Sequence, residues 1–177
     1  GKAINLGIKN SKGQILVCLS GHCVPTNEKW LWNLIKDLKY KDVAGVYGRQ
    51  EPFSFSSDLD KRDLLTIFGL DKKTQIKDSF FHNANSAIKR SVWRRIPFNE
   101  KILHIEDRYW GEEIIKNSMK LKYEPKASVY HWHGVNHDLN EKRAKEIVFL
   151  LEKIKLEKQD IRKKKKENLN ILAIIPK

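Results

Sequence analysis

The chain has 177 residues, 40% of them hydrophobic and 32% charged, enough for one domain with a real apolar core. It contains no apolar run near the roughly 20 residues of a membrane span, no signal-peptide pattern at Gly1–Asn5, and only Cys18 and Cys23 as cysteines. A transmembrane anchor and a disulfide framework are therefore not expected, and a cytoplasmic location is the default. The net charge of +13 favours anionic partners. Without a recognition-module signature, specific nucleic-acid binding is not expected.

In chain order, Ile15–Leu19 is a short apolar run after the turn signal Lys12-Gly13, and it reads as a buried, parallel strand. Ser20-Gly21-His22-Cys23-Val24-Pro25 is its polar end. Thr26 or Asn27 can cap the next helix, Glu28 to Lys39, whose apolar stripe is Leu31, Leu34, Ile35 and Leu38. Val43 to Gly48 is a second strand, and strand, helix, strand implies an α/β layer architecture. Residues 52–57 read as loop, Leu59 to Phe68 as helix, and Asp71 to Asp78 as a mobile polar stretch. Phe80 to Asn85 is extended, and Ser86 to Arg95 has helical character until Ile96-Pro97. Glu106 to Met119 is a helix with Trp110, Ile114 and Ile115 inward. Lys120 to Tyr123 and Ala127 to Trp132 are strands separated by Pro125.

From Leu139 a long amphipathic helix is expected. Its seam is Ile147, Leu150, Leu151, Ile154 and Ile161, and Asp138 or Asn140 is its cap. The run Arg162 to Lys166 reads as a solvated basic stretch that could also touch an anionic membrane. Residues 170–177 give a fresh strand signal that ends at Pro176. This strand resembles the opening strand of the acylneuraminate cytidylyltransferases, and a C-terminal edge strand is the alternative.

Four groups of residues could carry chemistry. Glu106 and Asp107 open a helix, where the macrodipole favours carboxylates. They follow the mostly apolar Ile102 to Ile105, and Arg108 and Trp110 are neighbours that could bind an anion and stack on a sugar. A carboxylate there could act as general base on an acceptor hydroxyl. Ser20 and His22 lie at a strand end, where ligands bind in open α/β sheets. His131 and His133 alternate onto one strand face, with His137 after them, and His22 with this pair could hold a metal; zinc is a competing occupant. Arg49 could meet a phosphate or the carboxylates Glu106 and Asp107, and the Asn83 and Asn85 amides could meet sugar hydroxyls.

Together these segments resemble a family 2 glycosyltransferase of the GT-A fold, in a rhamnosyltransferase-like branch. The resemblance rests on Leu19-Ser20-Gly21-His22-Cys23-Val24-Pro25 and on Gly48-Arg49-Gln50 before Pro52. It continues through Asn83-Ala84-Asn85-Ser86-Ala87-Ile88-Lys89-Arg90, Ile96-Pro97-Phe98, Glu106-Asp107 and Val129-Tyr130-His131 before His133. It covers roughly residues 1 to 135 in the family order.

The resemblance implies an incomplete GT-A (Rossmann-like) α/β sheet over residues 1–137. A basic helix or linker would follow at 138–168, and the first strand of a following nucleotidyltransferase domain at 169–177. It implies inverting transfer from a nucleotide-sugar donor to a polysaccharide or lipid-linked acceptor of the cell envelope, with Asp107 as base and Glu106 beside it. Ser20, His22, Arg49 and Gln50 would then face the donor, and Asn83, Asn85 and Trp110 would border the acceptor. A divalent metal, Mn²⁺ or Mg²⁺, would bind His22, His131 and His133. The chain departs from the family at Ser20 and His22, which stand where an Asp-x-Asp motif is usual, so strong metal binding is in doubt. The family's opening strand and acidic nucleotide motif belong before residue 1, so weak donor binding is expected of this stretch by itself. A non-catalytic binding or scaffold domain that kept the GT-A fold is the alternative. The C-terminal helix could also mediate self-association.

Overall fold

The computed structural model describes residues 1–134 and 141–172, with side-chain surroundings given through residue 156. Two compact units divide the chain, Gly1–Leu139 and Asn140–Lys177. The first unit holds α1 (Lys2–Asn10), β1 (Ile15–Leu19), β2 (Cys23–Pro25), α2 (Trp30–Ile35) with a 3₁₀ turn (Lys36–Lys39), and β3 (Val43–Pro52). α3 (Asp58–Ile67), β4 (Lys73–Gln75), β5 (Asn85–Lys89), α4 (Arg90–Arg95), α5 (Glu106–Lys116) and β6 (Lys120–His131) follow. The architecture is a mixed α/β sheet with helices, as the α/β reading requires.

The sheet order is β1-β5-β3-β6-β2, and β4 pairs with β6. β3 and β6 form a parallel pair at its centre. β1 is neither parallel nor mostly buried. It pairs antiparallel with β5 at one end of the order, and of its residues only Leu16 is buried. The apolar run suited a buried strand, but alternation sends Ile15, Val17 and Leu19 to the exposed face. Ser86 to Lys89 is strand rather than helix, since Ser86, Ala87 and Ile88 pair with both β1 and β3. Tertiary pairing overrides a weak helical preference here. Residues 71–78 contain β4, an ordered strand on β6.

Pro125 does not split β6 into two strands. The chain passes it through a β-bulge, where Gly48 opposes Glu124 and Gln50 opposes Val129. Backbones crowd at that bulge, and a Cβ on Gly48 would collide with the Ala127 carbonyl and the Asn85 amide. Only glycine permits this approach. β4 covers the first half of β6, and β2 covers the second half, Val129 to His131.

Thr26 and Asn27 do not cap α2. Lys29 stands at its N-cap, and the Thr26 hydroxyl donates to the Ser128 carbonyl instead. Of the expected stripe, Leu34 and Leu38 are buried and Leu31 is exposed. α3 starts as its sequence suggests, with Ser57 Oγ accepting from the Asp60 amide. The main core gathers Leu16, Tyr47, Phe68, Phe81, Trp110 and Ile114 among others. Burying each such side chain contributes about 1.5–3 kcal/mol.

The second unit is α6, Glu141–Leu172. Asn170, Ile171 and Leu172 are its last residues and are helical rather than strand. Residues 173–177, the expected caps Asp138 and Asn140, His137 and the side chain of Ile161 lie outside the described residues. Ile147, Leu150, Leu151 and Ile154 share the less exposed face of α6, and Val148, Phe149 and Leu156 are exposed. No helix among the described residues is long and apolar enough to cross a membrane.

Candidate functional site

The chain enters α5 through His104, whose φ of 69° is left-handed, and Ile105 at the N-cap. The N-cap residue Ile105 offers no side-chain hydrogen bond, and a first-turn carboxylate takes up a backbone amide at this end instead. Asp107 uses both oxygens. Oδ1 accepts from the Arg108 amide at 2.8 Å, and Oδ2 accepts from the Asn83 amide at 3.0 Å. Burial pushes its carboxyl above the usual carboxylate range, against the pull of those two amides and of the Arg108 charge. Glu106 is half-buried and meets the Gly1 amino group at 3.6 Å. Arg108 lies over the Phe80 ring at 4.6 Å.

An open groove of about 580 Å³ runs along α1 and β1, and Ser20, Asn83, Ala84 and Glu106 stand in its wall. Asn83 has both side-chain amide atoms buried and without a hydrogen-bond partner. Such a group costs about 1–3 kcal/mol unless something pairs with it. Ser20 is fixed by its backbone, with its amide donating to the Ala84 carbonyl at 3.0 Å. The fold thus brings Ser20, Asn83, Glu106 and Asp107 to one side of the sheet end.

His22 follows Ser20 in the β1–β2 turn, and it joins a different group. Its Nε2 lies 3.0 Å from His131 Nε2. The His22, His131 and His133 donor atoms all lie within 4.8 Å of one another. β6 supplies His131, and its pairing with Cys23 of β2 brings the His22 turn alongside. His131 Nδ1 contacts the His133 carbonyl, and His133 Nδ1 contacts the Gly134 carbonyl at 2.8 Å. Carbonyls only accept, so each Nδ1 carries the proton and each Nε2 the lone pair. Burial, then the neighbouring His133 charge, pushes His131 down to about 3, which keeps it neutral at physiological pH. The Gly134 amide in turn donates to Asp60, and holds that carboxyl below its usual range.

The other expected site residues are part of the framework. Trp110 is not an acceptor platform: it is 1% exposed, its Nε1 donates to the Ile96 carbonyl at 2.8 Å, and its ring packs on Phe81 and Phe98. Its place one turn into an amphipathic helix points it inward. Asn85 is fully buried, and its amide donates to the Arg49 and Ala127 carbonyls at the bulge while accepting from Trp30 Nε1. That leaves it nothing to offer a sugar. Gln50 is also fully buried, and its amide meets His82 Nδ1 at 3.0 Å. Arg49 reaches neither Glu106 nor Asp107; it pairs with Glu51 at 3.7 Å.

Sequence reasoning missed two supporting residues. His82 links Gln50 to the histidine group, with its ring 6.5 Å from that of His131. Asp60 holds the backbone after His133. A lone His beside Asn83 carried a weak signal, and Asp60 carried none, because it reads as an ordinary first-turn carboxylate of α3.

Solved structures show the same fold. One is the mannosyltransferase PcManGT from Pyrobaculum calidifontis in complex with GDP-Man and Mn²⁺, at TM-score 0.53 and 17% identity over 73% of this chain and 35% of that protein. Another is GalNAc-T7 with UDP, GalNAc and Mn²⁺, at TM-score 0.57 and 15% identity over 75% of this chain and 30% of that protein. The chain spans about a third of the length of these proteins. No curated protein matches the sequence. The profile described as Glycosyl transferase family 2 matches residues 1–96, more than half of the chain, and this chain belongs to that family.

Proposed function

We propose that the chain carries the acceptor-side part of an inverting glycosyl transfer from a nucleotide-sugar donor to a polysaccharide or lipid-linked acceptor. The observation that carries this reading is Asp107. Its carboxylate is oriented by two backbone amides, its proton affinity is raised by burial, and its partner Asn83 presents an unpaired amide at the groove. A base needs both features: a fixed direction and a proton affinity above that of a solvated carboxylate.

In the transfer, Asp107 takes the proton of the acceptor hydroxyl. The freed oxygen attacks the anomeric carbon from the face opposite the leaving diphosphate. The bond from that carbon to the diphosphate oxygen breaks, and its electron pair leaves with the diphosphate. Asn83 pairs with a sugar hydroxyl, Ser20 faces the donor, and Glu106 holds the groove wall negative beside the base.

Both similar proteins are complexed with Mn²⁺. The residues here that could hold a cation are His22, His131 and His133. Three imidazoles without a carboxylate among the described residues suit neither Mg²⁺, which takes oxygen ligands, nor Mn²⁺, which binds nitrogen donors weakly. No step above is assigned to either ion.

The net charge of +13 supports work beside an anionic membrane surface, at its cytoplasmic face, where lipid-linked acceptors would lie. Liposome binding that survives removal of residues 162–166 would remove the basic run from that role. The apolar face of α6 supports self-association, which sedimentation would report as a dimer. The non-catalytic alternative draws on Ser20 and His22 replacing acids. The substitution Asp107→Asn in the whole protein separates the two readings: an enzyme loses turnover, and a scaffold keeps its ligand binding unchanged.

A further inference from the structure

We propose that His22, His131 and His133 form a binding site for a borderline transition-metal ion, with Zn²⁺ as the reference ion, that discriminates against Mg²⁺ and Mn²⁺. The proposal does not depend on the transfer reading.

Three observations carry it. The first is the donor set. All three ligands are imidazole nitrogens, and among the described residues no carboxylate or thiol joins them. Imidazole donors favour ions late in the first-row series, and Mn²⁺ is the weakest of that series. Three protein ligands with room for a fourth are the usual count of an open zinc site.

The second is spacing. With Zn–N bonds of about 2.0–2.1 Å, tetrahedral ligand atoms lie about 3.3 Å apart. The His22 and His131 Nε2 atoms are already 3.0 Å apart, and no pair in the group exceeds 4.8 Å. The buried His131 is the fixed member. The exposed His22 and half-buried His133 need only side-chain rotation to close on it.

The third is orientation. His131 and His133 each donate Nδ1–H to a backbone carbonyl, of His133 and of Gly134. That arrangement fixes the tautomer and turns the Nε2 lone pair toward the ion, as outer-shell partners of metal-bound histidines do. The Gly134 backbone is held in turn by Asp60, which the Ser57 cap anchors at the start of α3. Two neutral imidazoles with Nε2 atoms in contact have room for one shared proton or one cation. On binding, His22 changes to its Nδ1–H tautomer by proton exchange with solvent, and the cation takes the freed Nε2 lone pair with no net change in bound protons.

The test uses the purified protein stripped with a chelator and titrated separately with Zn²⁺, Mn²⁺ and Mg²⁺ by calorimetry, without any sugar substrate. The expected result is one equivalent of Zn²⁺, bound at least about 100-fold more tightly than Mn²⁺, and no heat with Mg²⁺. Co²⁺ should give the strong visible bands of a four-coordinate site. His22→Ala, in an exposed turn, and His133→Ala should each weaken Zn²⁺ by at least about 10-fold with an unchanged circular-dichroism spectrum. Zn²⁺ binding no tighter than Mn²⁺, no Zn²⁺ binding, or Zn²⁺ affinity unchanged in both folded variants would each overturn the proposal. If one variant fails to fold, the ion preference of the unsubstituted protein still decides. Failure here leaves the Asp107→Asn result untouched, and the reverse holds as well.

Discussion

Asn83 and Asn85 stand two residues apart, and the fold gives them opposite roles. Asn85 closes the bulge between β3 and β6, with every amide atom engaged by Arg49, Ala127 and Trp30. Asn83 stands in the groove wall with its amide unpaired, and only its backbone is tied, to Asp107. The same contrast separates Trp110, sealed in the core, from Asp107, three positions earlier on the same helix. One region is a framework in which the Asn85 amide and the Trp110 indole are fully engaged. The other is a rim whose polar atoms are held in place but kept available. Residue type does not distinguish the two; the number of hydrogen bonds already satisfied does.

The largest effect should come from the rim. Asp107→Asn is expected to lower turnover by about 100- to 10,000-fold with little change in donor binding, as removal of a general base does. Steady-state kinetics on the whole protein would show it, and unchanged turnover would move Asp107 into the framework class. The framework counterpart is Trp110→Ala. It should cost about 3–5 kcal/mol of stability, read from a denaturant midpoint, by opening a cavity among Phe81, Phe98 and Ile114. Loss of activity without loss of stability would instead return Trp110 to the rim.

Asn85→Ala comes next. It strips partners from two buried carbonyls and from the Trp30 indole, so about 1–3 kcal/mol of stability should be lost. Asn83→Ala should cost no stability, and should raise it by up to about 1–3 kcal/mol, because the buried amide it removes has no partner. Its effect should appear in KM for the acceptor or donor. If the two asparagines proved equal in a thermal melt, the division between rim and framework would fail.

The pH dependence sharpens the same comparison. Burial raises the folded-state pKa of Asp107 above its unfolded value of about 3.9. Its contribution to stability is therefore full below that unfolded value and is lost as pH rises through the folded value. Activity runs the other way, because only the ionised form is a base. Stability and turnover should change in opposite directions over that window, and Asp107→Asn should abolish both changes. A turnover profile that stays flat while Asp107 ionises would exclude it as the base.

Much of the fold was legible in local pattern. The strand at Val43 showed as a short apolar run broken by glycines, and the helices from Leu59 and Glu106 and the C-terminal helix carry 3.6 periodicity. β1 was legible as a strand but not in its direction or burial, because an apolar run does not say which neighbour it pairs with. Ser86 to Arg95 hid a strand-to-helix change, since β5 is set by contact with β1 and β3 and not by its own propensity. Pro125 looked like a break because a bulge needs a partner strand to be seen. In the site, Glu106 and Asp107 stood out by chemistry and position, and the histidines by their spacing. Asp60 and His82 did not, because their partners are distant in sequence.

The sequence by itself determined the residue types, the order of the elements, the resemblance to family 2 glycosyltransferases and the carboxylate pair at the start of α5. These depend on near neighbours and on periodicity, which a chain carries along its length. Tertiary structure alone decided which polar groups were spent. It placed Asn85, Gln50 and Trp110 inside and Asn83 at the groove, and it drew His22 from one turn to His131 at the end of β6 and His133 in the bend beyond it. Those outcomes depend on pairing across roughly 110 residues between β2 and β6 and roughly 80 between β3 and the bulge of β6. Burial and hydrogen-bond satisfaction are properties of that pairing, so no reading along the chain could have assigned them.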